Sequence, residues 1–430
     1  MNPRRRLLAS ALAAPLVLAG CKVRTINYFP VKPAFVRFVN VMLDDVVLEV
    51  IEGDTIYWTD VGFEGSTDFV EFANEQKTFR VRPVGTTEDY LSVTLALAGE
   101  QPYTLAAFGT AANGAVLLLP DARISGSGNV QFRLINLSFG GSSTDLYITE
   151  PGVEIDDQVS PNLVGVSAGS STVSLRFAPG AWRIRATPNG SQTVVYDSGA
   201  LDFPADTSTD LLIYTLGSAS LFQMMILDVD GAGRRMVVPN ALTAVKLVNA
   251  AVQTGAINAF YDGTKFVSDA AYPAASSYAF LPQGAHGLTV EAASVPGATI
   301  ASVSRTFEPA TDVSVLVVGL PGALQAIVLE DDNRSPVSGK THVRFVNASS
   351  DAAAYDVYVG DARQVAGLAA RTASGYFELD NGTYTVTFRE PGSGAVVLTI
   401  AEADLGEGNV TTFYLTGVAG QLSSIRSTDR

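Results

Sequence analysis

The sequence predicts an all-β protein made of tandem immunoglobulin-like or transthyretin-like antiparallel β-sandwich domains, with about seven strands in each. Three observations support this class. Apolar and polar residues alternate in short runs, one phrase returns four times at domain spacing, and no stretch after residue 20 keeps a helical apolar period over three turns. Alternation at period two is typical of strands with one buried face.

The repeated phrase places a basic residue three positions before an asparagine. Its copies are FVRFVN (35–40), QFRLIN (131–136), AVKLVN (244–249) and HVRFVN (342–347). The asparagines are Asn40, Asn136, Asn249 and Asn347, which lie 96, 113 and 98 residues apart. These spacings are domain lengths and exceed those of solenoid repeats.

The same succession of patterns follows each copy of the phrase. A second alternating strand comes first, then two strands around a corner, then an aromatic-rich strand that ends in glycine. The corner in the last repeat is Asn381-Gly382 and in the second repeat it is Pro179-Gly180. Asn-Gly between two alternating runs is a strong hairpin signal, so we expect hairpins at these corners.

The repeats predict four sandwiches, at residues 34–122, 129–231, 242–332 and 341–430, after a signal peptide (1–20) and a tether (21–33). Short polar junctions such as NRSPVSGK (333–340) separate them. Short junctions favour neighbours that touch end to end. We therefore expect a semi-rigid rod with a reach of about 120–150 Å, at ~3.3 Å per strand residue.

The first 21 residues have the three parts of a secretory leader. Arg4, Arg5 and Arg6 form a positive start, residues 7–18 form an apolar stretch too short for a permanent span, and Leu18-Ala19-Gly20-Cys21 follows. The last four resemble the lipobox of bacterial lipoproteins. That resemblance implies cleavage before Cys21, with a covalent diacylglycerol and an N-acyl chain on this cysteine.

The resemblance also implies a destination for the exported chain. Lys22 stands where an inner-membrane retention signal would have aspartate, so we expect lipid anchoring to the cell envelope at the outer membrane. Either its surface or its periplasmic face fits the sequence. The Arg4–Leu8 run partly resembles a twin-arginine signal, which is the alternative export route.

Composition excludes several classes of partner and of stabilising bond. The net charge is −15 and becomes −18 once the three leader arginines are removed, so phosphate backbones repel the chain and we expect no nucleic acid partner. Cys21 is the single cysteine, so disulfides cannot stabilise the domains.

A search for catalytic or metal-binding patterns gives weak candidates only. His286 and His342 lie in different repeats and cannot form a zinc site together. Gly165–Gly169 matches the G-x-S-x-G pattern around Ser167, but a β-strand and not a helix is predicted after it. Trp58 and Trp182 are single aromatics, for which core packing is the simpler interpretation and a sugar platform the alternative.

Acidic residues cluster at strand ends, and one cluster adjoins the junction before the last repeat. Its carboxylates are Glu330, Asp331 and Asp332. Clustered carboxylates suit calcium, but no cluster matches the twelve-residue calcium loop. Solvated acidic ends are the simpler interpretation, so we expect no cofactor and keep these three residues as the calcium candidates.

The fourth repeat resembles the bacterial domain-of-unknown-function family 4397. The residues that carry the resemblance are HVRFVNASSDAAAYDVYVGD (342–361) and the later NGTYTV (381–386). Asn347 stands where the family pattern has histidine, and Ser350 where it has proline. The resemblance implies secreted or surface-anchored sandwiches, often in tandem, with no catalytic residues to carry over.

These features together favour a non-catalytic, lipid-anchored envelope protein. We expect it to present its sandwiches for adhesion, scaffolding or binding of an envelope or extracellular protein or glycan, through loops and strand edges. The alternative is a lipoprotein that binds a small ligand or glycan in an inter-domain cleft. An envelope hydrolase acting through Ser167 comes third.

Overall fold

The computed structural model describes residues 32–429, apart from 44–45, 122–127, 141–142, 217–220, 230–233, 338 and 352. Within these residues the chain forms β-strands and no helix, so the predicted all-β class is confirmed. The signal peptide and Cys21 lie outside the described residues. No helix in the described part of the chain is long and apolar enough to cross a bilayer.

The strands fall into four successive sandwiches. Sandwich 1 contains β1 (Ala34–Met42), β2 (Leu48–Glu52), β3 (Thr55–Val61), β4 (Gly65–Ser66), β5 (Val70–Phe72), β6 (Gln76–Pro83), β7 (Leu91–Ala96), β8 (Pro102–Gly109) and β9 (Ala115–Pro120). Sandwich 2 contains β10 (Val130–Leu137), β11 (Thr144–Thr149), β12 (Leu163–Val166), β13 (Ser170–Ser171), β14 (Leu175–Phe177), β15 (Gly180–Pro188), β16 (Tyr196–Phe203), β17 (Thr207–Thr215), β18 (Phe222–Asp228) and β19 (Arg235–Val238).

Sandwiches 3 and 4 repeat the order of sandwich 1. Sandwich 3 contains β20 (Leu242–Ala251), β21 (Ile257–Tyr261), β22 (Thr264–Ala270), β23 (Ala274–Ala275), β24 (Ala279–Pro282), β25 (Gly284–Ala292), β26 (Thr299–Phe307), β27 (Asp312–Gly319) and β28 (Gln325–Asp331). Sandwich 4 contains β29 (Lys340–Ser349), β30 (Tyr355–Val359), β31 (Ala362–Leu368), β32 (Thr372–Ala373), β33 (Phe377–Asp380), β34 (Gly382–Arg389), β35 (Val396–Leu405), β36 (Val410–Val418) and β37 (Gln421–Thr428).

Each sandwich has the same two sheets. In sandwich 1 the first sheet runs β4-β1-β8-β9, with β5 also on β1, and the second runs β3-β2-β6-β7. The described strands number nine per sandwich, or ten in sandwich 2, and exceed the predicted seven because short strands line the first strand and β19 joins the second sandwich.

The first strand of every sandwich pairs in parallel with the eighth, a departure from the predicted purely antiparallel sheets. In sandwich 1 this register places Val36 beside Tyr103 and Phe38 beside Leu105. The whole second sheet lies between these two strands in the chain. No hairpin therefore dictates their relative direction.

The hairpins predicted at Pro179-Gly180 and Asn381-Gly382 are wrong. At Pro179-Gly180, β14 pairs with β10 in one sheet, whereas β15 pairs with β11 and β16 in the other. The same holds at Asn381-Gly382. The strand before the corner, β33, pairs with β29 in one sheet, whereas the strand after it, β34, pairs with β30 and β35 in the other. The chain crosses between the sheets here. Both arms contribute to the same core, through Phe377 and Val386, and period-two alternation has the same appearance in either arrangement.

Sandwich 2 extends beyond its predicted end at residue 231. Strand β19 pairs with β18, placing Val238 beside Met224 and Arg235 beside Leu227. Val238 completes the core of this sandwich. A segment interpreted as a junction in the sequence is therefore a strand of the sheet.

The sandwiches pack face to face in pairs, so the predicted end-to-end rod is wrong. In β1, Val36 and Phe38 enter the core of sandwich 1, while Val39 and Val41 enter a second cluster with residues of sandwich 2 such as Ile135. Sandwiches 3 and 4 pair through an equivalent cluster. The first strand is buried on both faces, and each sandwich would leave an apolar face in water if it stood alone.

A smaller apolar cluster connects the two pairs. It contains Leu216, Leu221, Leu242 and Ala244, which come from sandwiches 2 and 3, and Phe63 of sandwich 1 packs against it. The backbone amide of Ala241 also donates to the carbonyl of Asp197 at 2.7 Å. The four sandwiches therefore form one contiguous assembly.

Candidate functional site

The basic residue of each repeated phrase lies buried where two sandwiches meet. Arg37, Arg133, Lys246 and Arg344 are all at most 7% exposed. Their neighbours two positions along the strand, such as Val39, are interface residues, and alternation along a strand places all of them on the same face. The best-defined polar sites of the chain are thus the interfaces within each pair.

In the interface between sandwiches 1 and 2, each arginine reaches across to the other sandwich. Arg37 donates through Nη1 to the carbonyl of Asp228 at 3.2 Å, and Arg133 donates through Nη1 to the carbonyl of Pro120 at 2.7 Å. Asp228 and Pro120 are the last residues of β18 and β9, which hold equivalent places in the first sheets of the two sandwiches. The two contacts are therefore reciprocal.

Each of these arginines also has an acidic partner within its own sandwich. Arg133 forms a bidentate pair with Asp210, at 2.8 and 2.6 Å. Arg37 donates to the Thr104 hydroxyl at 2.9 Å and meets Asp121 at 3.5 Å. Bidentate guanidinium–carboxylate pairs are the stronger arrangement, so the Arg133 charge is compensated more closely than that of Arg37.

The two arginine sites use different positions for the acid. The strand pairing sets Arg37 beside Thr104 and Arg133 beside Asp210. Asp121 in sandwich 1 and Val229 in sandwich 2 are equivalent, because the amide of each extends the ladder of hydrogen bonds by one step. Asp121 donates to the carbonyl of Pro102 and Val229 to that of Ser208. Where sandwich 1 has the hydroxyl of Thr104, sandwich 2 has the acid Asp210, and where sandwich 1 has the acid Asp121, sandwich 2 has the apolar Val229. Each arginine therefore keeps one acidic partner in its own sandwich.

The interface between sandwiches 3 and 4 concentrates its charges around Asp331. Arg344 donates to the Asp331 carboxylate at 2.5 Å and to the carbonyl of Glu330 at 2.8 Å. Lys246 lies 3.8 Å from Asp331 and also bonds to Asp429 of sandwich 4. The hydroxyls of Ser314 and Tyr278 each donate to Asp331 at 2.6 Å.

The two interfaces shift the pKa values of their buried carboxyl groups in opposite directions. Burial raises the pKa of Asp121 to about 6, since Arg37 offsets only part of the desolvation. Burial also opposes ionisation of Asp331, but Lys246 and Arg344 outweigh it and the pKa of Asp331 falls below its ordinary value. Asp331 has two close cations and two hydroxyl donors, whereas Asp121 has one close cation and also faces the negative charge of Asp210.

The asparagine of each repeated phrase joins the two sheets of its sandwich. Asn347 is fully buried and donates through Nδ2 to the carbonyls of Ala353 and Leu368, at 2.8 and 2.9 Å, while its Oδ1 accepts the amide of Ser349. Leu368 is the last residue of β31 in the opposite sheet. Asn40, Asn136 and Asn249 contact the equivalent strand ends in the same way. The asparagine is thus a structural residue, and its fixed spacing in the sequence is the signal that marks it.

The structure separates the carboxylates of the calcium candidates. Glu330 pairs with Arg305 at 2.6 Å on the surface, Asp331 is buried with Lys246 and Arg344, and Asp332 pairs with Arg334 at 2.6 Å. No group of three or more His, Cys, Asp or Glu among the described residues is arranged to hold a metal ion.

The remaining sequence candidates lie apart from one another. His286 bonds to Asp262 of its own sandwich at 2.6 Å, and His342 lies 3.7 Å from Glu378. Ser167 follows the short strand β12, without a helix in the described residues. Trp58 belongs to the core of sandwich 1, and Trp182 packs against the core of sandwich 2.

A cavity of about 410 Å³ lies where sandwich 1 meets the junction between sandwiches 3 and 4. Its lining includes Tyr90, Asn113 and Phe139 on one side and Ser335–Val337 with Glu407 on the other. Its position could not be predicted from the sequence, because its lining residues lie as far apart in the chain as Val46 and Gly408 and meet only after the pairs assemble.

A family model described as "Domain of unknown function (DUF4397)" matches residues 34–147, 243–354 and 341–430. These segments together cover more than half of the chain. The chain belongs to this family. The DUF4397 matches leave out most of sandwich 2, which is also the sandwich that departs from the others in its interface acid and its added strand β19.

One solved structure similar to this DUF4397 chain is "The Bacillus anthracis TIE protein", with 8% sequence identity and a TM-score of 0.15. The match covers 86% of this chain and 66% of that one, so the chain spans just under two thirds of the length of the solved protein. No curated protein matches the sequence.

Proposed function

We propose that this chain is a non-catalytic envelope lipoprotein, anchored through Cys21, that presents its four packed sandwiches as an interaction or scaffolding platform. The observation that carries the proposal is the use of the buried basic residues. Arg37, Arg133, Lys246 and Arg344 all hold sandwiches together. The repeated polar residues of the chain therefore serve assembly of a fixed surface.

The anchor follows from the resemblance of Leu18–Cys21 to a lipobox. Each buried acyl methylene contributes about 0.8 kcal/mol, and stable anchoring takes more than one chain. Sandwich 1 begins at Ala34, only 13 residues after Cys21. A packed assembly on so short a tether would stay close to the membrane, in contrast to the extended rod expected from the sequence.

The first test is the location and anchoring of the full chain. An epitope placed after Arg430 is followed by protease treatment of intact cells, together with fractionation of the Cys21→Ser variant. We expect labelled palmitate on the wild-type chain in the membrane fraction and no label on the variant, whether the variant is released or keeps its leader, because serine has no thiol to accept the diacylglycerol. Digestion of the epitope on intact cells would select extracellular partners, and protection until the outer membrane is broken would select periplasmic ones. Equal palmitate labelling of wild type and variant, or no labelling of the wild type, would contradict the lipid anchor.

The cavity between sandwich 1 and the 3–4 junction favours a second candidate function, binding of a small saccharide. Its volume of about 410 Å³ lies within the range of ligand sites. Tyr90 and Phe139 supply aromatic rings, while Asn113, Ser335 and Glu407 supply polar groups. Such a combination suits a ligand with hydroxyl groups and an apolar face.

A thermal-shift screen with envelope and host saccharides tests this candidate. The variant Ala112→Tyr fills the cavity from an exposed alanine in its lining, and Ala98→Tyr is the matched control in the same sandwich. We expect a stabilising saccharide to lose its effect on Ala112→Tyr alone. A shift that persists in Ala112→Tyr would place the ligand elsewhere.

A further inference from the structure

The first sheet has an additional edge strand in sandwich 2 that the described residues of sandwich 3 lack. In sandwich 2 the edge of the first sheet, β18, is covered by β19 in antiparallel pairing. In sandwich 3 the corresponding edge strand, β28, ends its sheet within the described residues. A sheet edge presents unpaired backbone donors and acceptors, which is where another strand can add.

The strand pairing identifies equivalent residues on the two edges. Arg133 lies beside Asp210, which lies beside Leu227; in sandwich 3, Lys246 lies beside Ser314, which lies beside Leu329. Leu227 therefore corresponds to Leu329. Three positions earlier, Met224, which faces Val238 of β19, corresponds to Ala326.

A groove occupies the position that β19 fills in sandwich 2. It lies between β26 and β28, with a volume of about 450 Å³, and is lined by Thr299–Ser302 and Leu324–Ile327. A second cavity of about 460 Å³ shares Thr299, Ile300 and Leu324 and continues the groove towards Pro321. The pair between Arg305 and Glu330 at 2.6 Å bridges the two strands beyond the other end. The open stretch of four residues is about 13 Å long.

Sandwich 4 shows how such a groove is closed without an added strand. There Arg426 of β37 donates to the carbonyl of Asp404 in β35, so its side chain spans the two edge strands. Arg426 lies beside Phe413 in the sheet of sandwich 4, and Val328 lies beside Val315 in that of sandwich 3. Phe413 and Val315 in turn each lie beside the residue that follows the basic residue of the repeated phrase. Val328 is the equivalent of Arg426 and has no charged group to span the gap.

The direction of the free donors on β28 follows from sandwich 2. The amide of Asp228 in β18 donates outward, to the carbonyl of Arg234 just before β19. Because amides alternate along a strand, those of Ile226 and Met224 point the same way. Their equivalents, Val328 and Ala326, present their amides to the groove.

We propose that the β26–β28 groove of sandwich 3 binds an extended peptide of a partner protein, which adds to β28 as an antiparallel strand. The chemistry of the occupant is indicated by β19, in which Val238 enters the core of sandwich 2 while Val237, on the other face of the strand, packs against the cluster shared with sandwich 1. The partner segment is therefore apolar at successive positions, and one of its faces covers Ile300 and Leu324. This inference rests on the proposed interaction role and names its partner class.

The test uses a fluorescein-labelled peptide with the sequence of residues 234–239 (RRMVVP) and the mature full-length chain, with binding followed by anisotropy. Ala326→Pro removes one outward donor at an edge position where proline is tolerated. Ser424→Pro is the matched control, since Ser424 holds the equivalent place on β37. We expect saturable binding that weakens about tenfold in Ala326→Pro and is unchanged in Ser424→Pro.

Hydrogen exchange on the wild type supplies a readout that needs no variant. Peptide addition should slow exchange of the Ala326 and Val328 amides and leave that of Ser424 unaltered. Absence of saturable binding, equal binding by Ala326→Pro, or unaltered exchange at Ala326 and Val328 would overturn the groove proposal. A natural partner captured equally well by wild type and Ala326→Pro would overturn it too, while leaving the interaction role in place.

Discussion

At the scale of single residues, the contribution of a basic side chain to stability depends on how deeply it is buried and on which groups it bonds. Arg344 is 2% exposed and joins a carboxylate and a carbonyl of sandwich 3 to sandwich 4. A buried charge that loses its partner is costly, whereas an exposed ion pair contributes little. The same residue type should therefore give very different effects in the two settings.

Arg344→Ala should lower the free energy of unfolding by about 3–5 kcal/mol, because Asp331 keeps its buried charge with one cation fewer. Arg334→Ala, which removes an exposed pair with Asp332, should cost about 1 kcal/mol or less. Calorimetry reports the loss. The chain has two tryptophans, Trp58 and Trp182 in sandwiches 1 and 2, so tryptophan fluorescence should show the 1–2 transition little changed. Similar losses for both variants would contradict the assignment.

The raised pKa of Asp121 predicts stabilisation by mild acid in the 1–2 pair. A carboxyl with a higher pKa in the folded than in the unfolded chain binds protons more readily when folded. The stabilisation is therefore complete below the unfolded value near 3.8 and is lost as the pH rises through about 6. Between about pH 7 and pH 4 the gain should reach up to ~3 kcal/mol.

Denaturant unfolding followed by tryptophan fluorescence measures this dependence on pH. Asp121→Asn should remove most of it, since the amide does not titrate in this range. Asp331, with its lowered pKa, contributes stability above 3.8 that is lost only on further acidification, outside the window. A wild-type profile that is flat between these pH values would refute the assignment to Asp121.

At the scale of elements, the asparagine of the repeated phrase ties the first strand to the end of the third. Asn347→Ala should cost about 2–4 kcal/mol, because two buried carbonyls and one amide lose their partner. Asn381→Ala, at an exposed corner between β33 and β34, should change stability by less than about 1 kcal/mol. Chemical unfolding of both variants gives the comparison, and equal losses would argue against the bridging role.

The elements also show what sequence patterns can and cannot resolve. Alternation located the strands around Phe35–Asn40 and Gly375–Arg389, because side-chain periodicity depends on the strand itself. Pairing depends on which strands meet in space. The pattern around Asn381-Gly382 therefore suggested a hairpin, although β33 and β34 lie in different sheets.

The interface site was partly visible in the sequence. The fixed interval between a basic residue and an asparagine marked Arg37 and Asn40 as repeated features. Their roles could not be assigned, since Asp228 lies 191 residues from Arg37 and joins it only after two sandwiches pack. The sequence places Asp331 with Glu330 and Asp332 as calcium candidates, because adjacency in the chain does not show that successive side chains of a strand point to opposite faces.

At the scale of the whole molecule, face-to-face pairing predicts a compact particle. Small-angle scattering of the mature chain should give a radius of gyration of about 22 Å, the value for a compact chain of this length. A rod about 120–150 Å long would give a radius of gyration of roughly 35–45 Å.

A double variant at the 3–4 interface, Val318→Asp with Val346→Asp, should expand the particle by separating that pair. A rod-like profile for the wild type would contradict the packed arrangement.

The exchange of acid positions in sandwich 2 means that the four repeats are not interchangeable parts. A copy of sandwich 4 transplanted into the second place would bring Thr412 where Asp210 stands, and Asp429 where Val229 stands. Its last strand would then have no β19 unless the following segment were moved with it. Duplication can multiply such domains, but a repeat moved into the second place must also bring a covering strand, so the order of the sandwiches is constrained by the edges of their sheets as well as by their interfaces.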